Sequence, residues 1–270
     1  MIYYLTMTIP SRKITEVKAI LKGKPLITVV TVVFNGENFL EETIQSVINQ
    51  TYDNIEYMII DGGSTDGTVN IIKKYEDKIS YWVSEPDNGI YDAMNKGINL
   101  ATGQWINFMN AGDIFYSDRV VEEIFDNQQY QVEIIYGDYL ADHGSFMESV
   151  AAKNIDKLWQ GMAFCHQSTF IDAQYHKKNK YSLQYSVAGD FDFFCNAFEN
   201  KARFKHIDKI VSIFSCDGMS SVVGAGAGRQ NLKVINSYGY NVGHNLYYFA
   251  RFLHQIVKRA LSFFLLNRVK

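Results

Sequence analysis

The sequence predicts an α/β fold, a mainly parallel sheet flanked by helices with a C-terminal amphipathic helical segment. Three observations lead there. Strand-like and helix-like segments alternate through about the first 115 of the 270 residues. Each strand–helix unit is close to the ~30 residues that a βαβ crossover needs. The first strand-like run, PLITVVTVVFN, is continuously apolar and β-branched rather than alternating, as expected of a strand covered on both faces.

The elements follow in order. PLITVVTVVFN closes in Asn35-Gly36, a turn signal. ENFLEETIQSVINQ sets Phe39, Leu40, Thr43, Ile44, Val47 and Ile48 at helical spacing, with acids in the first turn where the helix dipole favours them. NIEYMIIDGGSTDGT reads as a second strand running into a Gly/Ser/Thr/Asp loop, and TVNIIKKYED as a second helix. KISYWVSEPDNG gives a third strand and turn, GIYDAMNKGINLAT a third helix with Ile90, Met94 and Ile98 along one side, and GQWINFMNAGD a fourth strand. The second half is less regular: VEIIYGDY, HQSTFI and FKHIDKIVSIF read as strands and GDFDFFCNAFEN as a helix. GAGAG, Gly224 to Gly228, reads as a mobile loop that could serve as a lid. Only 3 prolines occur and no linker-like composition divides the halves. The expected organisation is a leader over 1–23, one domain over 24–221, and a Gly-rich loop with a helical region over 222–270.

A chain that is 47% hydrophobic and 20% charged can bury a sizeable core. A net charge of −3 argues against a protein that grips nucleic acid through its phosphates. Cys165, Cys195 and Cys216 lack CxxC spacing, which suits a reducing compartment and structural thiols. The N-terminus lacks the basic start and apolar run of a secretory signal, and no run of about eighteen apolar residues could span a membrane. NLYYFARFLHQIVKRALSFFLLNRVK intersperses Arg251, Lys258, Arg259, Arg268 and Lys270 among apolar residues. That pattern fits either a basic amphipathic helix on an anionic membrane surface or a terminal helix packed on the domain or on a second copy of the chain. The expected location is cytoplasmic, with peripheral attachment to the inner face of the plasma membrane and a homodimer left open.

Ligands of open parallel sheets bind beyond the carboxyl ends of the strands. Three strand ends carry polar clusters here, at Asn35, Asp61 and Asp113. Such a crevice suits a nucleotide with a divalent cation, since carboxylates accept from base or ribose donors and ligate hard cations through oxygen. The first strand is followed by Phe-Asn-Gly-Glu rather than GxGxxG, and GxxxxGK[ST] is absent, so the usual dinucleotide cradle and the P-loop are excluded.

Two stretches, TVVTVVFNGENFLEETIQSVINQTYDNIEYMIIDGGSTDGT and SEPDNGIYDAMNKGINLATGQWINFMNAGD, resemble the nucleotide-binding half of the family 2 glycosyltransferases of GT-A, Rossmann-like fold, bacterial enzymes of surface polysaccharide and O-antigen synthesis. The resemblance is dense from about Leu26 to Asp118 and patchier to about Ser221. It implies donor binding by Thr31, Val33, Phe34, Asn35 and Glu37, and a base contact from Asp61 with Gly62, Gly63 and Ser64 allowing close approach. Asn88, Gly89, Asp92, Asn95 and Lys96 match the segment over the diphosphate and sugar, with Asp92 and Asn95 the stronger candidates. The family's metal motif, commonly Asp-x-Asp-Asp or Asn-x-Asp-Asp, stands here as Asn110-Ala111-Gly112-Asp113. Asp113 matches the carboxylate that holds Mg2+ or Mn2+, and Gly112 leaves room for the donor. One carboxylate suffices where phosphate oxygens complete the shell. Asp190 resembles the family's catalytic base, whose geometry would invert the anomeric centre. His166, Gln167 and Asp192 fall on the acceptor side, and Gly218 and Ser220 match a segment that closes over the donor phosphates.

The implied activity is transfer from a nucleotide sugar, a UDP-sugar by preference, to a hydroxyl of a lipid-linked or polysaccharide acceptor. Two rivals stand beside it: a nucleotidyltransferase, which should show a Gly-rich phosphate loop after the first strand, and a non-catalytic sugar-nucleotide-binding or membrane-scaffold module, which the lone Asp113 favours.

Overall fold

The computed structural model describes residues 24–216 and 224–239, the side chains of 224–227 excepted. The expected alternation is present: β1 (Ile27–Val33), α1 (Leu40–Ile48), β2 (Ile55–Asp61), α2 (Thr68–Lys74), β3 (Tyr81–Ser84), α3 (Ile90–Leu100) and β4 (Trp105–Phe108). Then come β5 (Ile114–Phe115), α4 (Val120–Phe125), β6 (Ile134–Asp142), β7 (Met147–Val150), β8 (Thr169–Asp172), α5 (Ala173–Lys178), α6 (Gly189–Glu199), β9 (Phe204–Ser215) and α7 (Gly224–Ser237). Among the described residues one sheet holds all strands, in the order β3-β2-β1-β4-β8-β6-β9-β5, with β7 paired to β6.

All seven residues of β1 are buried, and its side chains alternate between two cores as the pleat requires. Val30 and Val32 join Met58, Ile60, Met94 and Ile98 on the α3 face. Ile27, Val29 and Val33 join Ile59, Leu40, Ile44 and Ile72 on the face covered by α1 and α2. Full burial of a Val, Leu or Ile side chain stabilises by about 1.5–3 kcal/mol, so a strand with apolar residues on both faces is held centrally.

From β3 to β4 every pairing is parallel. Val33 sits beside Asp61, Asp61 beside Ser84, and Val30 beside Phe108, so the carboxyl ends of four strands open onto one edge. Beyond β4 the sheet becomes mixed. β8 runs antiparallel to both β4 and β6, β7 is antiparallel to β6, and β5 is antiparallel to β9, while β6 and β9 are parallel with register shifts near Asp138. The antiparallel strands bring the chain back across the crevice edge, so Ser215 reaches Asp113.

One expectation is corrected. The Gly224–Gly228 stretch is the start of helix α7, not a loop. Glycine costs a helix roughly 1 kcal/mol per residue relative to alanine, but Val234 and Ile235 are fully buried in the α3-side core. The hydroxyl of Tyr238 also donates to the carboxylate of Asp192 at 3.1 Å. Packing of the later turns outweighs the weak propensity of the first. Gly218 and Ser220, matched to a segment that closes over the donor phosphates, and the basic C-terminal segment lie outside the described residues.

His176 on α5 is completely buried among Phe108, Tyr181 and Phe193, and both ring nitrogens lack partners among the described residues. Burial disfavours its cation and pushes its pKa from 6.5 down to about 3. The unfolded chain therefore takes up a proton below pH 6.5 that the folded chain refuses until about 3. The stability contributed by the neutral ring is complete above pH 6.5 and is lost as pH falls through that window, at about 1.4 kcal/mol per pH unit. Unfolding of wild type and His176→Phe at pH 7.5 and 5.0 checks this: the wild type should lose about 2 kcal/mol more than the variant on acidification.

Candidate functional site

The loops after β1 and β2 are sewn together by short polar side chains. Asn35 adopts a left-handed backbone, φ 50°, which Asn tolerates better than most residues. Its Oδ1 accepts the Thr65 N–H at 2.9 Å, and its own N–H donates to Ser64 Oγ at 2.7 Å. Glu37 Oε2 accepts the Gly67 N–H at 2.7 Å. Asp61 is fully buried and accepts from the N–H groups of Gly63 and Ser64 and from the hydroxyls of Ser64 and Ser84. Thr31 is also fully buried, donating to the Met109 carbonyl at 2.8 Å beside the Tyr57 hydroxyl. Val33 faces the core, whereas the ring of Phe34 is 52% exposed. Phe34, just past the end of β1, has its side chain exposed, while Thr31 and Val33 build the strand beneath it.

Asp92 lies in the first turn of α3, where the helix dipole favours a carboxylate, and accepts the Asn88 N–H at 3.0 Å. Asn95 is engaged in scaffolding, its amide exchanging two hydrogen bonds with the backbone of Tyr181 at 2.9 and 3.0 Å. Lys96 pairs with Glu85 at 3.0 Å and donates to the Pro86 carbonyl at 3.3 Å, fixing the loop that follows β3.

The centre of the site is a short helical turn, His166–Ser168, pinned by Asn107 of β4, whose amide donates to the carbonyls of Gln167 and Thr169 at 2.9 Å each. Two consecutive side chains on this turn hold the two carboxylates singled out in the sequence. Gln167 Nε2 donates to Asp113 Oδ2 at 2.5 Å. His166 Nδ1 lies 3.3 Å from Asp190 Oδ2, and its Nε2 lies 3.0 Å from the Asn110 amide nitrogen. With Nε2 accepting from that amide, the imidazole proton sits on Nδ1 and points at Asp190.

Asp190 sits in the first turn of α6, after an Ala188 cap. Its Oδ1 accepts the Tyr91 hydroxyl at 3.0 Å and the Phe191 N–H at 2.8 Å. Burial pushes its pKa upward, but the hydrogen bond and proximity of His166, with Phe191 and Tyr91, outweigh it and hold the carboxyl below its ordinary range. Its side chain keeps 17% of its surface accessible, enough to meet a hydroxyl. Asp113 is the opposite case. Burial raises it from 3.8 to about 6, and the bonds from Gln167 and from the Ser215 N–H, with nearby His166, pull it only part of the way back.

Gly112 has φ 99°, a conformation that side-chain-bearing residues rarely adopt, so this glycine is required by the turn itself. Its N–H and the Asp113 carbonyl both meet the buried hydroxyl of Thr43 on α1, at 3.0 and 2.9 Å. Ala111 continues the β1 pairing by donating to the Val32 carbonyl at 3.2 Å. Asp192 is turned to Tyr238 and takes no part in the His166–Asp190 pair. Cys165 donates to Gln167 Oε1 at 2.6 Å, and burial drives its thiol well above the ordinary range.

Oxygen donors that suit a hard divalent cation lie in the loop that follows β4. Each Asp113 oxygen accepts a single hydrogen bond and so keeps a lone pair. The buried Asn110 Oδ1 has no partner among the described residues. No cluster of three or more His, Cys, Asp or Glu occurs among the described residues, which by themselves offer only part of a coordination shell. Magnesium-type sites of that kind rely on water and phosphate for the rest.

Thr43, Ser84, Asn107 and Tyr91 escaped sequence reasoning. Tyr91 reaches Asp190 across 99 positions, and nothing in the local pattern around GIYDA separates it from an ordinary core tyrosine.

Residues 28–199 match Glycosyl transferase family 2. The chain is 28% identical over 208 residues to a PGL/p-HBAD biosynthesis glycosyltransferase of Mycobacterium bovis (strain BCG / Pasteur 1173P2), covering 74% of this chain and 80% of that one. It is 32% identical over 181 residues to an uncharacterized glycosyltransferase of Mycobacterium tuberculosis (strain CDC 1551 / Oshkosh), covering 64% and 69%. In fold it is similar to S. aureus TarS 1-349 in complex with UDP-GlcNAc, TM-score 0.62 at 16% identity over 84% of this chain and 71% of that one. The mannosyltransferase PcManGT from Pyrobaculum calidifontis, in complex with GDP-Man and Mn2+, gives TM-score 0.62 at 15% identity over 86% and 68%. A fold of GT-A type and a matched domain covering most of the described residues define a transferase of sugars. The chain belongs to glycosyltransferase family 2.

Tyr91→Phe tests the site's electrostatics. Activity that needs ionised Asp190 is lost as pH falls through its pKa, and removing a donor to the carboxylate raises that pKa. The acidic limb of the kcat/KM profile for sugar transfer should move up by about one unit, the worth of a hydrogen bond to a charged group.

Proposed function

We propose that this protein is an inverting glycosyltransferase that moves a sugar from a nucleotide sugar, by preference a UDP-sugar, to a hydroxyl of a lipid-linked or polysaccharide acceptor in cell-surface glycan synthesis of the O-antigen kind. One observation carries the reading: His166 and Gln167, adjacent in the chain, hold Asp190 and Asp113 respectively, the pair expected to act as base and metal ligand. The names of its relatives support it, one in PGL/p-HBAD biosynthesis and two in complexes with UDP-GlcNAc and GDP-Man.

The acceptor hydroxyl loses its proton to Asp190, which stays ionised at neutral pH because His166, Tyr91 and the Phe191 N–H stabilise its charge. Tyr91 and His166 also fix the carboxylate's orientation, so that the hydroxyl attacks the anomeric carbon from the face opposite the diphosphate, inverting it. Asp113 and Asn110 Oδ1 would hold Mg2+ or Mn2+, which when bound stabilises charge on the leaving diphosphate. The exposed Phe34 ring offers a face for the base. Among the described residues no helix is long and apolar enough to cross a membrane. The basic, apolar pattern of residues 245–270, outside the described residues, supports peripheral attachment to the inner leaflet of the plasma membrane, where a lipid-linked acceptor would be met.

A panel of UDP-, GDP- and CDP-sugars with Mn2+ or Mg2+, read by mass analysis, tests the reading. Asp190→Asn should cut turnover by about 10²- to 10⁴-fold while donor binding persists. Asp113→Asn should weaken the metal-dependent part of donor binding. Full turnover in Asp190→Asn, or no transfer from any donor by the wild type, would refute it.

A further inference from the structure

Beside its apolar stripe, α1 carries a polar one. Thr43, Ser46 and, just past the helix end, Gln50 stand three and four residues apart, the spacing that keeps side chains on one face. Each is bonded to the segment that follows β4. Thr43 Oγ1 accepts the Gly112 N–H at 3.0 Å and donates to the Asp113 carbonyl at 2.9 Å. Ser46 Oγ accepts the Phe115 N–H at 3.3 Å. Gln50 donates to the Ser117 carbonyl at 2.7 Å and accepts the Val121 N–H at 3.1 Å. The segment is thereby laid along α1 in a fixed register, and the contact at Asp113 belongs to Thr43.

The backbone of the Asn110–Asp113 turn shows what Thr43 adds. The Ala111 N–H donates to the Val32 carbonyl at 3.2 Å and the Asp113 N–H to the Asn110 carbonyl at 3.0 Å. Those bonds join backbone to backbone and do not depend on side chains. The Gly112 N–H and the Asp113 carbonyl instead end on one hydroxyl. A hydroxyl has a single proton to give, and threonine in a helix can return it to a carbonyl of the preceding turn. Here that proton goes to Asp113. Thr43 is fully buried, so losing the hydroxyl would leave a donor and an acceptor that bulk water does not readily satisfy. Gly112, at φ 99°, is also the residue of the turn with the widest backbone freedom, and the Thr43 bond removes that freedom.

We propose that Thr43 is a positioning residue, whose hydroxyl fixes the turn on which Asn110 and Asp113 present their oxygens to a divalent cation. This rests on the reading of Asp113 as a metal ligand given above. Thr43 acts through the turn and touches neither cation nor donor. Groups that orient metal ligands from behind are typically worth about 10- to 100-fold in metal affinity or activity.

The test is calorimetric binding of UDP with and without Mn2+ to wild type, Thr43→Val, Thr43→Ser and Ser46→Ala, with melting temperatures alongside. The quantity compared is the factor by which Mn2+ tightens UDP. Thr43→Val keeps the branched shape and loses both bonds, so that factor should fall about tenfold. Thr43→Ser should restore it to within twofold of wild type. Ser46→Ala loosens the same segment two residues beyond Asp113 and should lower the melting temperature while keeping the factor. If Thr43→Val does not fold, Thr43→Cys, with a thiol that hydrogen-bonds weakly, carries the same expectation. A factor unchanged in Thr43→Val or Thr43→Cys, one not restored in Thr43→Ser, or an equal loss in Ser46→Ala overturns the assignment and leaves the reading of Asp113 standing. A wild type whose UDP binding ignores Mn2+ overturns both.

Discussion

Everything in the crevice depends on burying two carboxylates within reach of one rigid turn. An isolated buried charge is costly, and the usual remedies are a partner, a set of hydrogen bonds or protonation. Here Asn107 on the central sheet fastens the His166–Ser168 turn through two carbonyls. The turn in turn gives Asp190 an imidazole and Asp113 an amide. The difference between those partners sets the difference in chemistry. The imidazole, with Tyr91 and a backbone N–H, keeps Asp190 ionised in spite of burial. A neutral amide and one backbone N–H do not do the same for Asp113, which rises to about 6. Two carboxylates with environments pushed in opposite directions are the expected mark of divided roles. Asp113 is the one with the fewer donors, and a divalent cation would supply the missing stabilisation of its charge.

The same economy governs the nucleotide side. Buried or strand-end polar residues there mostly bond to the protein itself: Asp61 to its own loop, Asn35 to Thr65, Asn95 to Tyr181, Asp92 to Asn88. They set the shape of the cleft, beside which the Phe34 ring stays exposed. Rigid scaffolding beneath a small number of free groups is how a site keeps its geometry.

Helix α7 shows how far packing can override local preference. Three glycines in the first five residues argue for a loop, and did so on the sequence. Val234 and Ile235 nonetheless enter the core formed with α6, and the Tyr238–Asp192 bond closes the contact. Local propensity spans about 1 kcal/mol per residue, less than a single buried aliphatic side chain contributes.

The order of strands and helices through β4, the two-sided burial of β1 and the convergence of Asn35, Asp61 and Asp113 at one edge were all legible in the sequence. Hydrophobic periodicity and right-handed βαβ crossovers are local or nearly local properties. The motif resemblance likewise reached the family. What only the tertiary structure decided was which polar side chains are spent on the protein and which stay free. Asp61 reads in the sequence as a free strand-end carboxylate, and in the fold it is bound by four donors from its own loop and from Ser84. The direction of the later strands, the reach of Tyr91 to Asp190 and the helical state of Gly224–Gly228 were hidden for the same reason. Each depends on contacts between residues far apart in the chain, and hydrogen-bond saturation, unlike periodicity, leaves no trace in the neighbouring sequence.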